Sequence, residues 1–236
     1  MSSFPRAARL LAVLALAGSG VALPSVAEAV PPSPVVAATG ATAVQPRVVP
    51  GTVLVPAASV QRRRAAIVFD KNYRRPFHSR VIWRSWTRTG AKAPWRLAEE
   101  VSWRAGSGTG PRGTDGCVRN EGWLPHGDYT FVQQDRRDGN FIDGRVFQLE
   151  DKRCRNGTLR QSLFIHSEQT VTNGQCRDAP GDQRCRWEVP AYNDYRSAGC
   201  IKMSPGDLAA LTRRFHRYYD AGVRYPAGVV KVRVTG

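Results

Sequence analysis

Five cysteines (Cys117, Cys154, Cys176, Cys185 and Cys200) follow an N-terminal segment built like an export signal, and five is an odd number. Arg6 and Arg9 supply a positive start, residues 10–17 are an unbroken apolar run, and Ala27-Glu28-Ala29 fits a small-residue cleavage site. Residues 1–29 therefore read as a signal peptide. The apolar run is short for a bilayer span and gives way to Gly18-Ser19-Gly20. No later stretch is apolar enough to cross, so the cleaved chain is not expected to be membrane-spanning, and its destination is secreted or cell envelope. In such an oxidising compartment cysteines pair, and an odd set leaves a thiol over.

Cys176 and Cys185 bracket a short loop whose Pro180-Gly181 turn can bring them together. Cys117 and Cys154 fall in loops on either side of an expected strand pair and are candidates for a second bridge. Four cysteines admit three pairings, and spacing does not choose among them. If those four pair, Cys200 is the free thiol. No C-x-x-C or H-x-x-x-H spacing supports a metal, so none is expected.

Residues 30–60 are mostly Ala, Val, Pro, Thr and Gly, without aromatics or period. Such a stretch buries too little surface to offset its ordering entropy and reads as a flexible linker. One folded domain is then expected over 61–236. The whole sequence carries a formal charge of +16, about +15 without residues 1–29. That favours polyanions, and export points to anionic cell-wall polymers over nucleic acid, for which no stacking platform or groove-reading motif is present.

Cys200 lies in the run Ser197-Ala198-Gly199-Cys200-Ile201-Lys202-Met203. Ser204 suits an N-cap, Pro205 the first helical position, and Asp207 follows three residues after the cap. Leu208, Leu211 and Phe215 make a one-sided apolar stripe, and Gly222 is placed to close the helix. The cysteine thus sits in a turn before a helix, beside small residues that leave main-chain amides open to a substrate oxygen. Lys202 adds charge that favours a thiolate. Of the four histidines, His216 reads as solvated surface, and His78 and His126 as structural. His166 ends the apolar stretch Leu163-Phe164-Ile165 next to Ser167, and is the base expected for a spare cysteine.

Alternation marks strands at 66–70, 79–86, 99–103, 128–134, 145–149 and 160–166, and in Val230, Val232 and Val234 near the end. The fold class expected is mainly β, a β-sandwich, with one helix after the cysteine.

The run Phe164-Ile165-His166-Ser167, followed downstream by SAGCIKM and a helix, resembles the L,D-transpeptidase (YkuD-type) catalytic domain. WLPHGDYTF resembles that family's Pro-x-Gly-x-Tyr segment, and AIVFDKNYRR with VIWRSW its opening hairpin, so the likeness spans roughly 65–235. The resemblance implies Cys200 as the acylated nucleophile, His166 as general base and Ser167 steadying the histidine by backbone or side chain. It implies oxyanion amides at Gly199 and Cys200, and substrate contacts at Ser197 and Lys202. It implies peptidoglycan stem peptides as substrate and no cofactor. Three departures mark a divergent member. Ala198 stands where a histidine is common, and Lys202 where an arginine usually follows, without the planar fork. The 34 positions from His166 to Cys200 exceed the usual connection and contain Cys176 and Cys185, an expected disulfide-pinned insertion. The rival functions are a cell-wall cysteine hydrolase with water as acceptor and a catalytically silent basic binding module.

Overall fold

The computed structural model describes residues 61–109, 114–225 and 229–236. The expected signal peptide and linker lie outside them. The strands are β1 (Gln61–Asp70), β2 (Ser79–Thr89), β3 (Arg96–Gly106), β4 (Gly127–Tyr129), β5 (Phe131–Gln134) and β6 (Val146–Leu149). After these come β7 (Lys152–Arg153), β8 (Leu159–Arg160), β9 (Phe164–His166), β10 (Ile201–Met203), β11 (Arg224–Tyr225) and β12 (Val230–Thr235). Among the described residues the single α-helix, α1, is Pro205–His216. The described residues are mainly β with one helix after Cys200, as their alternation foretold.

Ten strands form one sheet in the order β11-β5-β6-β9-β10-β3-β2-β1-β12-β4, with β7 and β8 as a separate pair. β4 is one edge of that sheet and β5 is next to the other, yet only Thr130 separates them in sequence. A single residue spans about 3.3–3.6 Å, so the sheet must curl until its two ends nearly meet. The layered core expected of a sandwich is thus made by one sheet folding over its own inner face. This also explains why the expected strand at 128–134 is interrupted at Thr130: its halves pair with β12 and β6, at opposite ends of the order.

The inner face follows the period of two. In β12, Val230, Val232 and Val234 are buried while Arg233 is exposed. In β1, Ala65, Ile67 and Phe69 enter the same core. Helix α1 covers that core with Leu208, Leu211 and Phe215, all with no exposed surface. Each such side chain contributes about 1.5–3 kcal/mol on burial. The helix begins as its sequence dictates: the Ser204 hydroxyl accepts from the Asp207 amide at 3.2 Å, with Pro205 in the first turn. It stops at His216, six residues short of Gly222. Tyr219 turns back to stack on Phe215 and Tyr225, with ring centroids 5.2 and 4.9 Å away. The Gly222 amide donates to the Gln133 carbonyl, so this glycine turns the chain into β11 and does not cap the helix.

Candidate functional site

Strands β9 and β10 lie side by side in the middle of the sheet and run parallel, Ile165 opposite Ile201 and His166 opposite Lys202. Parallel neighbours cannot be joined by a hairpin; they need a crossover of a dozen residues or more. The segment between His166 and Ile201 is that crossover, without helix or strand of its own. The length that marks it as an insertion in the sequence is in part a topological requirement. A disulfide between Cys176 and Cys185 pins its middle. A second joins Cys117 to Cys154, and Cys200 is the free cysteine. Among the three pairings open to the four loop cysteines, this is the one the fold adopts.

Side chains alternate across a strand. Ile165, Ile201 and Met203 enter the core, so Phe164, His166 and Lys202 point to the opposite face. Cys200 lies in the bend one residue before β10. The two residues that the sequence pairs as nucleophile and base thus lie at neighbouring strands, the Cys200 thiol bonded to the Ser162 carbonyl and the His166 ring to the Ser167 carbonyl.

The His166 ring is buried, and Nδ1 lies 3.0 Å from the Ser167 carbonyl. A carbonyl only accepts, so Nδ1 carries the proton and Nε2 keeps its lone pair, the tautomer a general base requires. It is the Ser167 backbone that orients the ring. The Ser167 hydroxyl is buried and makes no hydrogen bond among the described residues. Burial, reinforced by the positive charge of Lys202, holds the imidazole pKa down to about 3.

Cys200 is half-buried, and its thiol donates to the Ser162 carbonyl at 3.5 Å. Burial pushes the thiol pKa up to about 11, against smaller opposing effects from the Phe164 backbone, Lys202 and Arg160. Both directions favour the neutral thiol and the neutral imidazole over thiolate and imidazolium. Alkylation by iodoacetamide is accordingly expected to accelerate about tenfold per unit between roughly pH 7 and 10, without a plateau. A rate already flat at neutral pH would show a preformed ion pair.

The turn before Cys200 is held by a residue that the sequence reading passed over. Arg160, at the end of β8, is 3% exposed. Its guanidinium donates to the carbonyls of Gly122 (2.9 Å), Ala198 (3.0 Å), Trp123 (3.4 Å) and Gly116. It thereby ties the loop anchored by Cys117–Cys154 to the turn that presents Cys200. Gly199 has φ of +130°, and a Cβ there would lie 2.1 Å from Arg160 Nη2. Glycine at this position answers both to backbone conformation and to contact with the arginine.

The remaining expected site residues have defined partners. The Ser197 hydroxyl donates to the Cys200 carbonyl at 2.5 Å and accepts from the Gly199 amide at 3.3 Å. An oxyanion at the Gly199 amide would have to displace that second bond. Lys202 is buried and its ammonium pairs with Glu168, so its charge is already engaged within the protein. His78 is exposed, His126 bonds Tyr73 at 3.0 Å, and His216 bonds Asp135 at 2.8 Å. None of these three joins Cys200. Two surface clefts of about 550 and 580 Å³ lie beside Arg74, Arg104 and Tyr192 and beside Asp135 and His216; neither is lined by Cys200 or His166. Among the described residues no helix is long and apolar enough to cross a membrane.

No protein-family model and no curated protein matches the chain. Among solved structures it is similar to Bd1075 of Bdellovibrio bacteriovorus, at 13% identity and a TM-score of 0.38, over 73% of this chain and 48% of that one. It is also similar to the helical cell shape determining protein Pgp2 of Campylobacter jejuni, at 14% identity and a TM-score of 0.40, over 73% of this chain and 47% of that one. The chain thus spans about half the length of these two structures. Likenesses this remote carry no functional conclusion.

Proposed function

We propose that the domain is an exported cysteine acyltransferase acting on peptidoglycan stem peptides, with Cys200 as nucleophile and His166 as base. The observation that supports it is a free thiol in the bend just before β10 and, on the neighbouring strand β9, an imidazole whose Nε2 keeps its lone pair. The substrate class comes from the resemblance of FIHS and SAGCIKM to the L,D-transpeptidase domain.

Burial that favours the neutral thiol and neutral imidazole suits the following order of events. As a stem-peptide carbonyl arrives, the Cys200 proton moves to His166 Nε2 and the sulfur forms a bond to the carbonyl carbon. Main-chain amides at Gly199 and Cys200 receive the oxyanion, the first after release from Ser197. Imidazolium returns its proton to the departing amine, the C–N bond breaks, and a thioester remains. An acceptor amine then attacks the thioester, gives its proton to His166, and expels the sulfur as a thiol. Lys202, locked to Glu168, acts as a fixed positive charge close to the reacting sulfur and is not a mobile carboxylate clamp.

Purified disaccharide stem peptides incubated with the mature protein test this directly. The expected product is a new amide when an amine acceptor is supplied, and none with Cys200→Ala. Hydrolysis alone, unchanged by added amine, would make the protein a peptidase. Envelope-polymer binding that is identical in wild type and Cys200→Ala, with no product from either, would leave only the binding module.

A further inference from the structure

The crossover between His166 and Cys200 carries a cluster that the reaction does not use. Glu168, Asp182 and Asp194 each offer a carboxylate oxygen, and these three atoms lie within 4.8 Å of one another. Acidic clusters are common on surfaces, but two of these three residues are buried: Glu168 is 7% exposed and Asp194 2%. Each also holds one oxygen, Glu168 Oε2 and Asp194 Oδ1, that is buried and has no hydrogen-bond partner among the described residues. The other oxygens are used: Glu168 Oε1 accepts from Lys202, and Asp194 Oδ2 from the Glu188 amide. A buried carboxylate oxygen without a partner is costly, and two in one place suit a cation as their shared partner.

Charge and size say which cation the three carboxylates suit. With all three carboxylates ionised, Lys202 neutralises one and a net charge of −2 remains. An all-oxygen donor set of this kind suits a hard cation. A spread of up to 4.8 Å can be bridged by an ion with bonds of about 2.3–2.6 Å to oxygen, the calcium range. The scaffold is built for the purpose. Glu188 fixes the residue next to Asp182, its carboxylate accepting from the Gln183 amide at 2.8 Å and from Gln183 Nε2 at 3.2 Å. The Cys176–Cys185 disulfide closes the same loop.

We propose that Glu168, Asp182 and Asp194 form a calcium-type cation site that clamps the crossover, with waters completing the coordination. Glu168 comes two residues after His166, Asp182 lies inside the disulfide loop, and Asp194 comes six residues before Cys200. One ion therefore ties together the beginning, middle and end of the only segment that links base to nucleophile. This role does not depend on what Cys200 reacts with.

The test is thermal unfolding and isothermal titration of the mature protein after EDTA treatment and dialysis. With about 10 mM CaCl2, well above the dissociation constants of about 10⁻⁴–10⁻³ M found in extracellular calcium modules, Tm is expected to rise by roughly 5 °C. NaCl at matched ionic strength should leave Tm unchanged. Asp182→Asn alters an exposed residue and keeps the metal-free Tm, but loses the calcium shift and the binding heat; Asp194→Asn loses them too. A wild-type protein with neither shift nor heat overturns the site. So does a shift that persists undiminished in Asp182→Asn.

Discussion

Arg160→Met is expected to lower the unfolding free energy by about 4 kcal/mol and to slow acylation of Cys200 on the order of 100-fold. Methionine fills much of the volume but donates nothing, so the carbonyls of Gly116, Gly122, Trp123 and Ala198 lose their shared partner. Each buried acceptor left bare costs about 1–3 kcal/mol, less where water can enter. The Ala198 carbonyl lies two residues before the sulfur, and a turn freed there no longer holds the thiol in register with His166. Arg160→Lys should recover part of the stability through its charge and little of the rate, because one ammonium cannot reach four carbonyls with the fork geometry of guanidinium. Urea denaturation and a second-order acylation rate on the same samples separate the two effects. A methionine variant as stable and as reactive as wild type would remove Arg160 from the site.

Acid should weaken the protein through His166. The folded-state pKa is held at about 3, against about 6.5 in an unfolded chain. Below pH 6.5 the unfolded state takes a proton that the native state refuses, so stability falls as pH falls, down to the folded pKa. Glu168 works in the opposite sense. Burial raises its carboxyl to about 7, against about 4.3 unfolded. The native state then takes up that proton first and gains stability as pH drops from 7 toward 4.3. The two nearly compensate in wild type over the shared window, so comparison with His166→Gln is needed. Between pH 6.5 and 4.5, wild type is expected to lose about 2 kcal/mol relative to that variant. Parallel stability curves for the two proteins would mean that the imidazole is not buried as described.

What the sequence discloses, it discloses through local rules. Alternation in Val230, Val232 and Val234 places their strand and its buried side, and Ser204-Pro205 starts the helix at the residue where it begins. The odd cysteine follows from counting alone. What it conceals depends on distant backbone. Arg160 looks like any arginine in a basic chain, because its partners are carbonyl groups from segments that fold around it, and no side-chain pattern announces a carbonyl. Glu168, Asp182 and Asp194 are 14 and 12 positions apart in turn, and only the crossover brings them together. The crossover itself follows from the parallel pairing of β9 and β10, which short apolar runs cannot reveal. The end of the helix was misjudged for a related reason. Gly222 has the left-handed backbone of a helix stop, but the aromatic packing of Tyr219 ends the helix first.

The claim on which the proposed function turns is that Cys200 is the nucleophile, and covalent trapping tests it most directly. The mature protein is exposed to a carbapenem, its intact mass is measured, and the modified peptide is sequenced by mass spectrometry. One adduct is expected, on the peptide bearing Cys200, absent in Cys200→Ala and formed on the order of 100-fold more slowly in His166→Gln. An adduct that persists in Cys200→Ala, or a fully active protein whose Cys200 stays unmodified, would contradict it.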